Sequence, residues 1–402
     1  MAEARSFVKP EDEQHIIEIR RTIHQHPEIG FELPETVKTV EAELTRLGIP
    51  YTEKYGKSSV AAYIGFGAGF DPEAADEKLP DQTTIALRAD MDALAVFEKV
   101  DVPFKSLYEG KMHACGHDTH TAALLGAAAI LKRAEAEGLL KARVKLIFQP
   151  AEESETSGAA MMIENGVLND VDYIFGMHSD PQLPTGTIAT IPGNAMAACH
   201  PYTVDFYGKS VHATLPQNGK DALAMAVDAY NQIYLMKSRI IDPFEEHVLS
   251  VSTLHAGTAH NILADHAQIK ISFRFYNPEL NRIVDEKIKE ICRNSAALFG
   301  GTVEFSDRIS CWAVINDPEL TEQTRLSAVK VVGSDHTVPG HKRMSSEDFG
   351  NYLNQIPGTF ARFGCGCSEK GCGGFAHQSE FHPDEDSLMT ATLFYAQVAL
   401  DA

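Results

Sequence analysis

The sequence is short of positive charge: over 402 residues it sets only 35 Lys and Arg against 56 Asp and Glu, a formal net charge of -21. Such a surface repels a polyanion and offers no footprint for nucleic acid or an anionic membrane, so neither is expected as a partner. Long apolar runs are missing too. The longest, Thr121 to Leu131, falls far short of the roughly 20 residues that a bilayer span needs. The opening Met-Ala-Glu-Ala-Arg-Ser is charged and has no apolar h-region, so the expectation is a soluble, cytoplasmic protein. Internal repeats and low-complexity tracts are absent. Seven cysteines are an odd number in a long chain, which argues against a disulfide framework and for metal ligation or free thiols in a reducing compartment. What is present, 44% apolar and 23% charged residues, can build two or three core-forming units at about 150 residues each.

Periodicity then divides the chain. Residues 10 to 47 read as two helices around the polar turn His24 to Pro34, the second stopped by Gly48. Short β-rich runs follow at Ser59 to Ile64, Thr84 to Leu87, Val144 to Phe148 and Tyr173 to Met177, alternating with helical patterns at Asp118 to Ala136 and Gly158 to Asn165. Strand and helix in alternation predict βαβ units and a largely parallel sheet. From about residue 198 the rhythm changes to strand (Tyr202 to Tyr207), helix (Asp221 to Lys237), two strands (Val248 to Leu254, Ala267 to Phe275), helix (Glu279 to Phe299) and strand (Val303 to Asp307). That β-α-β-β-α-β order is ferredoxin-like and can close its own small core. Helical patterns at Glu319 to Val332 and Asp384 to Leu400 then resume the α/β character. The expected organisation is a discontinuous α/β domain, residues 1–195 and 313–402, interrupted by an inserted α+β unit over 196–312.

Several donor groups sit where strands end. In Met112-His-Ala-Cys-Gly-His-Asp-Thr-His120, Cys115 and His117 stand two apart before a helix. They can aim a thiolate and an imidazole at one point, or Cys115 can be a buried thiol beside a capping Asp118. Glu152 and Glu153 follow the apolar strand Val144 to Phe148 directly, at the carboxyl end where open α/β sheets build their sites. They can divide labour between metal and substrate, or form a solvated acidic turn. His178 ends another apolar strand, and His377 lies in a Gly-bounded loop with His382 five residues on; alone, each is as readily structural as ligating. Together, Cys115, His117, Glu153, His178 and His377 are too many donors for one tetrahedral zinc but fit two metals sharing a bridging group, leaving Glu152 as acid and base.

The order of short motifs carries more. His24-x-x-Pro-Glu-Ile-Gly-Phe31, Arg88-Ala-Asp-Met-Asp-Ala-Leu94, His113-Ala-Cys-Gly-His-Asp118, Phe148-Gln-Pro-Ala-Glu-Glu153, Gly208-Lys-x-x-His-Ala213, Gly257-Thr-Ala-x-Asn261 and Ser346-Glu-Asp-Phe349 run in sequence along almost the whole chain. In them the protein resembles the metal-dependent aminoacylase and carboxypeptidase family, in particular hippurate hydrolases, bacterial N-acyl-amino-acid amidohydrolases and plant auxin-conjugate amidohydrolases. The resemblance implies a metallopeptidase-like catalytic domain with a mostly parallel central sheet, and a ferredoxin-like insertion serving as dimerisation and lid domain.

It further implies that Cys115, His117, Glu153, His178 and His377 hold two divalent cations per subunit, zinc or manganese, with cobalt or nickel as alternatives. Glu152 would be the general base and Asp90 and Asp92 supporting groups. His212 would reach the neighbouring subunit's site, and Asn261 and Arg274 are candidates for the substrate carboxylate. The expected reaction is hydrolysis of an N-acyl-amino acid, with a metallo-carboxypeptidase or dipeptidase acting on short peptides as the alternative, in a homodimer or higher homo-oligomer. A Cys-dependent hydrolase and an inactive metal-binding protein are the remaining readings. In more distant relatives the position of Arg88 looks like a metal-binding histidine. The sequence departs from the family at Gln217, where a His is usual, at His200, where an acidic residue is usual, and in the Cys-rich Gly364 to Gly374. Cys365, Cys367 and Cys372 there read as free thiols in a flexible glycine loop, with an accessory metal site or a redox-sensitive loop as alternatives.

Overall fold

The computed structural model describes residues 3–74 and 82–402. In chain order the elements are α1 (Asp12–Gln25), α2 (Pro34–Leu47), β1 (Tyr51–Thr52), β2 (Val60–Ile64), β3 (Thr84–Asp90), α3 (His117–Ala136), β4 (Arg143–Gln149), α4 (Gly158–Glu164), β5 (Tyr173–Pro184), β6 (Ile188–Thr190) and β7 (Gly193–Met196). Then come β8 (Ala198–Tyr207), α5 (Ala222–Ile240), β9 (His247–Ala256), β10 (His266–Phe275), α6 (Pro278–Leu298) and β11 (Thr302–Asp307). The chain finishes with β12 (Val314–Asn316), α7 (Pro318–Val332), β13 (Thr337–Pro339), α8 (Phe349–Leu353), β14 (Gly358–Gly366) and α9 (Ser387–Asp401). Two compact units result: Met1–Ala195 with Val314–Lys342 and Asp348–Ala402, and Met196–Ala313 with Arg343–Glu347.

The first unit is built on an eight-stranded sheet in the order β1-β2-β4-β3-β5-β14-β6-β13. Its centre, β4-β3-β5-β14, is parallel throughout, while β1 and β2 pair antiparallel and β6 runs antiparallel to β14 and parallel to β13. Every residue of β3 is buried, as in a parallel strand covered on both faces. The long apolar run found in the sequence lies in α3, a helix buried nearly all round. Gly126 lets α3 come close to its neighbours, since a Cβ there would lie 2.6 Å from Ile16 Cδ1 in α1 and 2.9 Å from Thr392 Oγ1 in α9. Among the described residues no helix is long and apolar enough to cross a membrane.

The second unit has a four-stranded antiparallel sheet in the order β11-β8-β10-β9, with α5 and α6 packed on it. That is the ferredoxin-like arrangement that the strand and helix order predicts. Along β10, Ala267, Ile269, Ile271, Phe273 and Phe275 are buried while the residues between them are not, the alternation expected of a sheet with one face in a core.

Two features escape sequence reading. β14 lies in the middle of the sheet, yet its glycines suggest a loop. The reason is contact: a Cβ on Gly364 would sit 2.0 Å from the Pro184 carbonyl oxygen and one on Gly366 2.2 Å from that of Pro181. The expected flexible loop from Gly364 therefore begins as strand. The other is Lys145, fully buried inside β4, where its ammonium meets Asp170 Oδ1 at 2.6 Å, the Val167 carbonyl at 2.7 Å and Tyr55 Oη at 3.1 Å. Removing one partner of such a pair leaves a buried charge uncompensated. Asp170→Ala is therefore expected to cost about 3–5 kcal/mol, read from the denaturant midpoint at unchanged m-value; a loss below about 1 kcal/mol would mean that water or Tyr55 carries the charge.

Candidate metal centre

Cys115 and His117 leave a single tight corner. Gly116 between them has a φ of +89°, and a Cβ on it would come within 2.4 Å of Ser179 Oγ; glycine alone makes this turn without displacing Ser179. The glutamate pair leaves β4 through Ala151, itself at φ +56°. One carboxylate then fixes both: Asp92 Oδ1 accepts the Glu152 N–H at 3.0 Å and Oδ2 the Glu153 N–H at 3.1 Å. His178, on β5, has its Nδ1 2.7 Å from the Ser179 carbonyl. A carbonyl only accepts, so Nδ1 carries the proton and Nε2, 3.3 Å from Cys115 Sγ, keeps its lone pair. His377 is held at φ +69°, with its N–H on the Ala114 carbonyl at 2.7 Å and Nε2 2.9 Å from Glu153 Oε1. Strained backbone of this kind at Ala151 and His377 is where functional groups are often set.

These residues converge. The donor atoms of Cys115, His117 and His178 all lie within 4.8 Å of one another, as do those of Cys115, Glu153 and His377, and those of His117, Glu152 and Glu153. Cys115 thus belongs to two triads at once. The chemistry of the set fits cations. His117 is fully buried with neither ring nitrogen hydrogen-bonded, its Nδ1 lying 3.4 Å from Asp92 Oδ1, an arrangement that is costly unless something else engages those atoms. Burial works against charge on His117, yet Asp90, Asp92 and Cys115 hold it well above the ordinary imidazole range. Cys115 and Glu153 raise His377 to about 10, while burial and Glu153 push the Cys115 thiol up. The common cause is a surplus of negative donors in a dry place, which divalent cations would neutralise.

Asp90 stands apart. Its Oδ2 is 2.7 Å from Arg88 Nη1 and its Oδ1 2.6 Å from His120 Nδ1. Asp90, His117 and His120 do cluster within 4.8 Å, but the Arg88 guanidinium already supplies the positive charge there. His120, which sequence reasoning passed over, accepts the Ser179 N–H on Nε2 at 2.9 Å and so donates from Nδ1 to Asp90. It braces the peptide next to His178; its spacing of three from His117 along one helix face was the available signal. His113 was also missed: it is buried with both nitrogens unpartnered, and burial pushes it down to about 3. Asp118 is no cap. Its Oδ2 takes Arg20 Nε at 2.7 Å and His24 Nδ1 at 2.8 Å.

In the second unit, His212 and Asn261 are brought side by side: residues 212 and 262 form an antiparallel bridge, and the Ala213 N–H donates to the Asn261 carbonyl at 2.9 Å. Both are exposed. The Thr214 N–H points at His212 Nδ1 at 3.3 Å, which makes Nδ1 an acceptor and leaves Nε2–H as a donor. Gln217 is exposed. Arg274 lies on the outward side of β10 and donates to Ser346 Oγ. His200, Asp285 and Asp307 form a further donor cluster, but Lys289 Nζ lies 2.9 Å from Asp285 Oδ1 and 2.8 Å from Asp307 Oδ2 and fills the cationic role.

The chain is similar to known proteins along almost its whole length. The thermostable carboxypeptidase 1 of Saccharolobus solfataricus is 36% identical over 394 residues, covering 97% of this chain and 96% of the relative. The N-acetylcysteine deacetylase of Bacillus subtilis is 34% identical over 390 residues, 96% of each. Among solved structures, a Bacillus subtilis protein described as a dinuclear metal binding peptidase from the M20 family superposes with a TM-score of 0.80 at 30% identity, covering 98% of both chains. With residues 86–401 matching the description of peptidase family M20/M25/M40 as well, the chain belongs to that family.

Proposed function

We propose that this chain is a two-metal hydrolase that cleaves the amide bond of an N-acyl-amino acid, releasing a carboxylate and a free amino acid. The observation that carries the reading is the pair of donor triads sharing Cys115, with Glu152 beside them. Cys115, His117, Glu153, His178 and His377 would hold the cations. Thiolate and imidazole suit zinc, and the carboxylate lets manganese, cobalt or nickel compete. Divalent ions bound there would supply the Lewis acidity that lowers a water's pKa to about 7.

The chain's own residues do the rest. Glu152, its N–H anchored on Asp92, takes the proton of the attacking water and later hands it to the leaving amine. His212, with its donor on Nε2, hydrogen-bonds the scissile carbonyl oxygen as negative charge develops. Arg274 and Asn261 would recognise the substrate carboxylate, Arg through its planar fork. A C-terminal peptide bond presents the same carboxylate next to the same amide, and the Saccharolobus relative carries a carboxypeptidase name. Carboxypeptidase or dipeptidase action on short peptides is therefore the second reading, and a panel of N-acetyl-, N-benzoyl- and dipeptide substrates separates the two. The remaining rival, Cys115 as a covalent nucleophile, needs a lowered thiol pKa, and burial beside Glu153 does the opposite.

For the second unit we propose a role in self-association. α5 leaves Leu223, Val227, Tyr230 and Leu235 exposed, and β9 is an edge strand that exposes Val248, a combination suited to pairing two copies of the chain. His212 would then serve the site of the partner subunit in a homodimer. The free thiols and the net negative charge favour a cytoplasmic protein acting on small molecules.

Three outcomes follow. Glu152→Gln should keep fold and metal content but lose at least about 10²-fold in kcat, the usual worth of a general base; activity within a few-fold of the unaltered enzyme removes Glu152 from the role. Glu153→Ala and His178→Ala should each lower the metal content measured by elemental analysis, and stoichiometric metal in both would overturn the ligand set. Finally, Glu152→Gln and His212→Ala homodimers should both be nearly inactive, while subunit exchange between them should restore up to about half the activity per site, because one site of each heterodimer is intact under two-fold symmetry. No recovery after verified exchange would place His212 in its own chain's site or in none.

A further inference from the structure

The hydrolytic reading leaves Cys367 and Cys372 without a task. β14 ends at Gly366, Ser368–Lys370 form one 3-10 turn, Gly371 takes a φ of +70°, and Cys372 returns directly opposite Cys367. The two exchange backbone hydrogen bonds, Cys372 N–H to the Cys367 carbonyl at 2.9 Å and Cys367 N–H to the Cys372 carbonyl at 3.3 Å. A reciprocal pair of this kind holds its Cα atoms about 5.5 Å apart with both side chains on one face. A disulfide spans a Cα separation of about 4.4–6.8 Å, a range that includes the spacing of such a pair. Both are thiols and both are half-buried, within reach of a small reagent.

The next rung gives the pair its meaning. Gly373 and His382 exchange hydrogen bonds at 2.8 Å in each direction, closing the loop 374–381 that carries His377. Lys370 Nζ adds a tie to Asp384 Oδ1 at 2.9 Å. The Cys367–Cys372 hairpin is therefore the root of the segment that presents His377 to Cys115 and Glu153.

We propose that Cys367 and Cys372 form a reversible intramolecular disulfide, with a low-molecular-weight disulfide as oxidant, and that this bond staples the base of the His377 loop. The pair itself follows from backbone register; its effect on metal retention rests on the reading of His377 as a ligand. The Cys367 thiolate attacks one sulfur of the reagent, giving a mixed disulfide and expelling one thiolate. Cys372, after losing its proton, attacks the Cys367 sulfur and expels the second. Two protein thiols lose two electrons and two protons, and one reagent disulfide becomes two thiols. Burial and the neighbouring Asp384 push Cys372 to about 11, so Cys367 makes the first attack, and Cys372 acts once the reaction is intramolecular. Cys365 is fully buried on β14 and its thiol is pushed well up by burial and Asp180, which keeps it out of the exchange.

The test uses the full-length metal-loaded protein and oxidised glutathione. Non-reducing peptide mapping should show Cys367 joined to Cys372 with the loss of two hydrogen atoms, and Cys372→Ser should stop at glutathione on Cys367. A bond to Cys365, a persistent glutathione adduct in the unaltered chain, or no reaction overturns the pair. In a second readout, zinc release to excess chelator should be severalfold slower in the oxidised protein, recover with a thiol reductant, and show no such change in Cys372→Ser. Equal release rates overturn the staple while the mapped bond stands. A protein that binds no zinc strikes the proposed ligand set and leaves the mapping to judge the cysteine pair.

Discussion

One buried guanidinium organises the carboxyl end of the central sheet. Arg88 is fully buried in β3, with Nε on Gln149 Oε1 at 2.9 Å, Nη1 on Asp90 at 2.7 Å and Nη2 on Asp348 Oδ1 at 2.9 Å, while its carbonyl accepts Tyr395 Oη at 2.6 Å. A charge so deep persists only when it is paired on every side, and here the pairing joins β3, β4, the start of α8 and α9. Each carboxylate then passes the order outward. Asp90 fixes His120, which braces the Ser179 peptide beside His178. Asp348 accepts Ser157 Oγ at 2.7 Å and the Ala159 N–H at 3.1 Å, anchoring the start of α4 just beyond the glutamate pair. A permanent cation at residue 88 also occupies the place between Asp90 and Asp348, while the donor triads gather around the Cys115-Gly-His117 corner.

The parts legible in the sequence are those in which one residue type has a single efficient use. Apolar runs at Ile85 to Leu87 and Val144 to Phe148 mark buried strands, and the polar and apolar alternation from Ala267 to Phe275 marks a one-sided sheet; both periods are local and survive into the structure. The five donors were legible as a set because each follows a strand or sits in a glycine-bounded loop of the same sheet unit. What stayed hidden depends on partners far away in sequence. Lys145 reads as a break in a buried strand until Asp170 and Tyr55 are seen around it. β14 reads as a loop because its glycines are there to admit the β5 backbone, a need that exists only once β5 is beside it. His120 and Asp118 look like ordinary polar residues in a first helical turn, and their buried ion pairs come from Asp90 and Arg20, tens of residues away.

Asp92 shows how little is needed to orient the centre. Its two oxygens receive two consecutive N–H groups, so Glu152 and Glu153 cannot rotate independently of the strand end that carries Asp92. Fixing both peptides in this bend keeps both carboxylates beside His117, their oxygens within 4.8 Å of its ring nitrogen and of each other.

The position of β14 has a consequence for the chain while it is being made. This strand enters between β5 and β6, and His377 follows it, so neither the sheet nor the donor cluster can close before residue 377 has emerged. Cys115 precedes His377 by most of the chain, a lag on the order of tens of seconds at about 5–20 residues per second of synthesis. During that interval the sequence of the second unit is out and can close its own core, while the donor cluster still lacks His377. In a nascent molecule of this fold the donor cluster is thereby among the last features to assemble, closing only after the strand that delivers His377 has found its place beside β5.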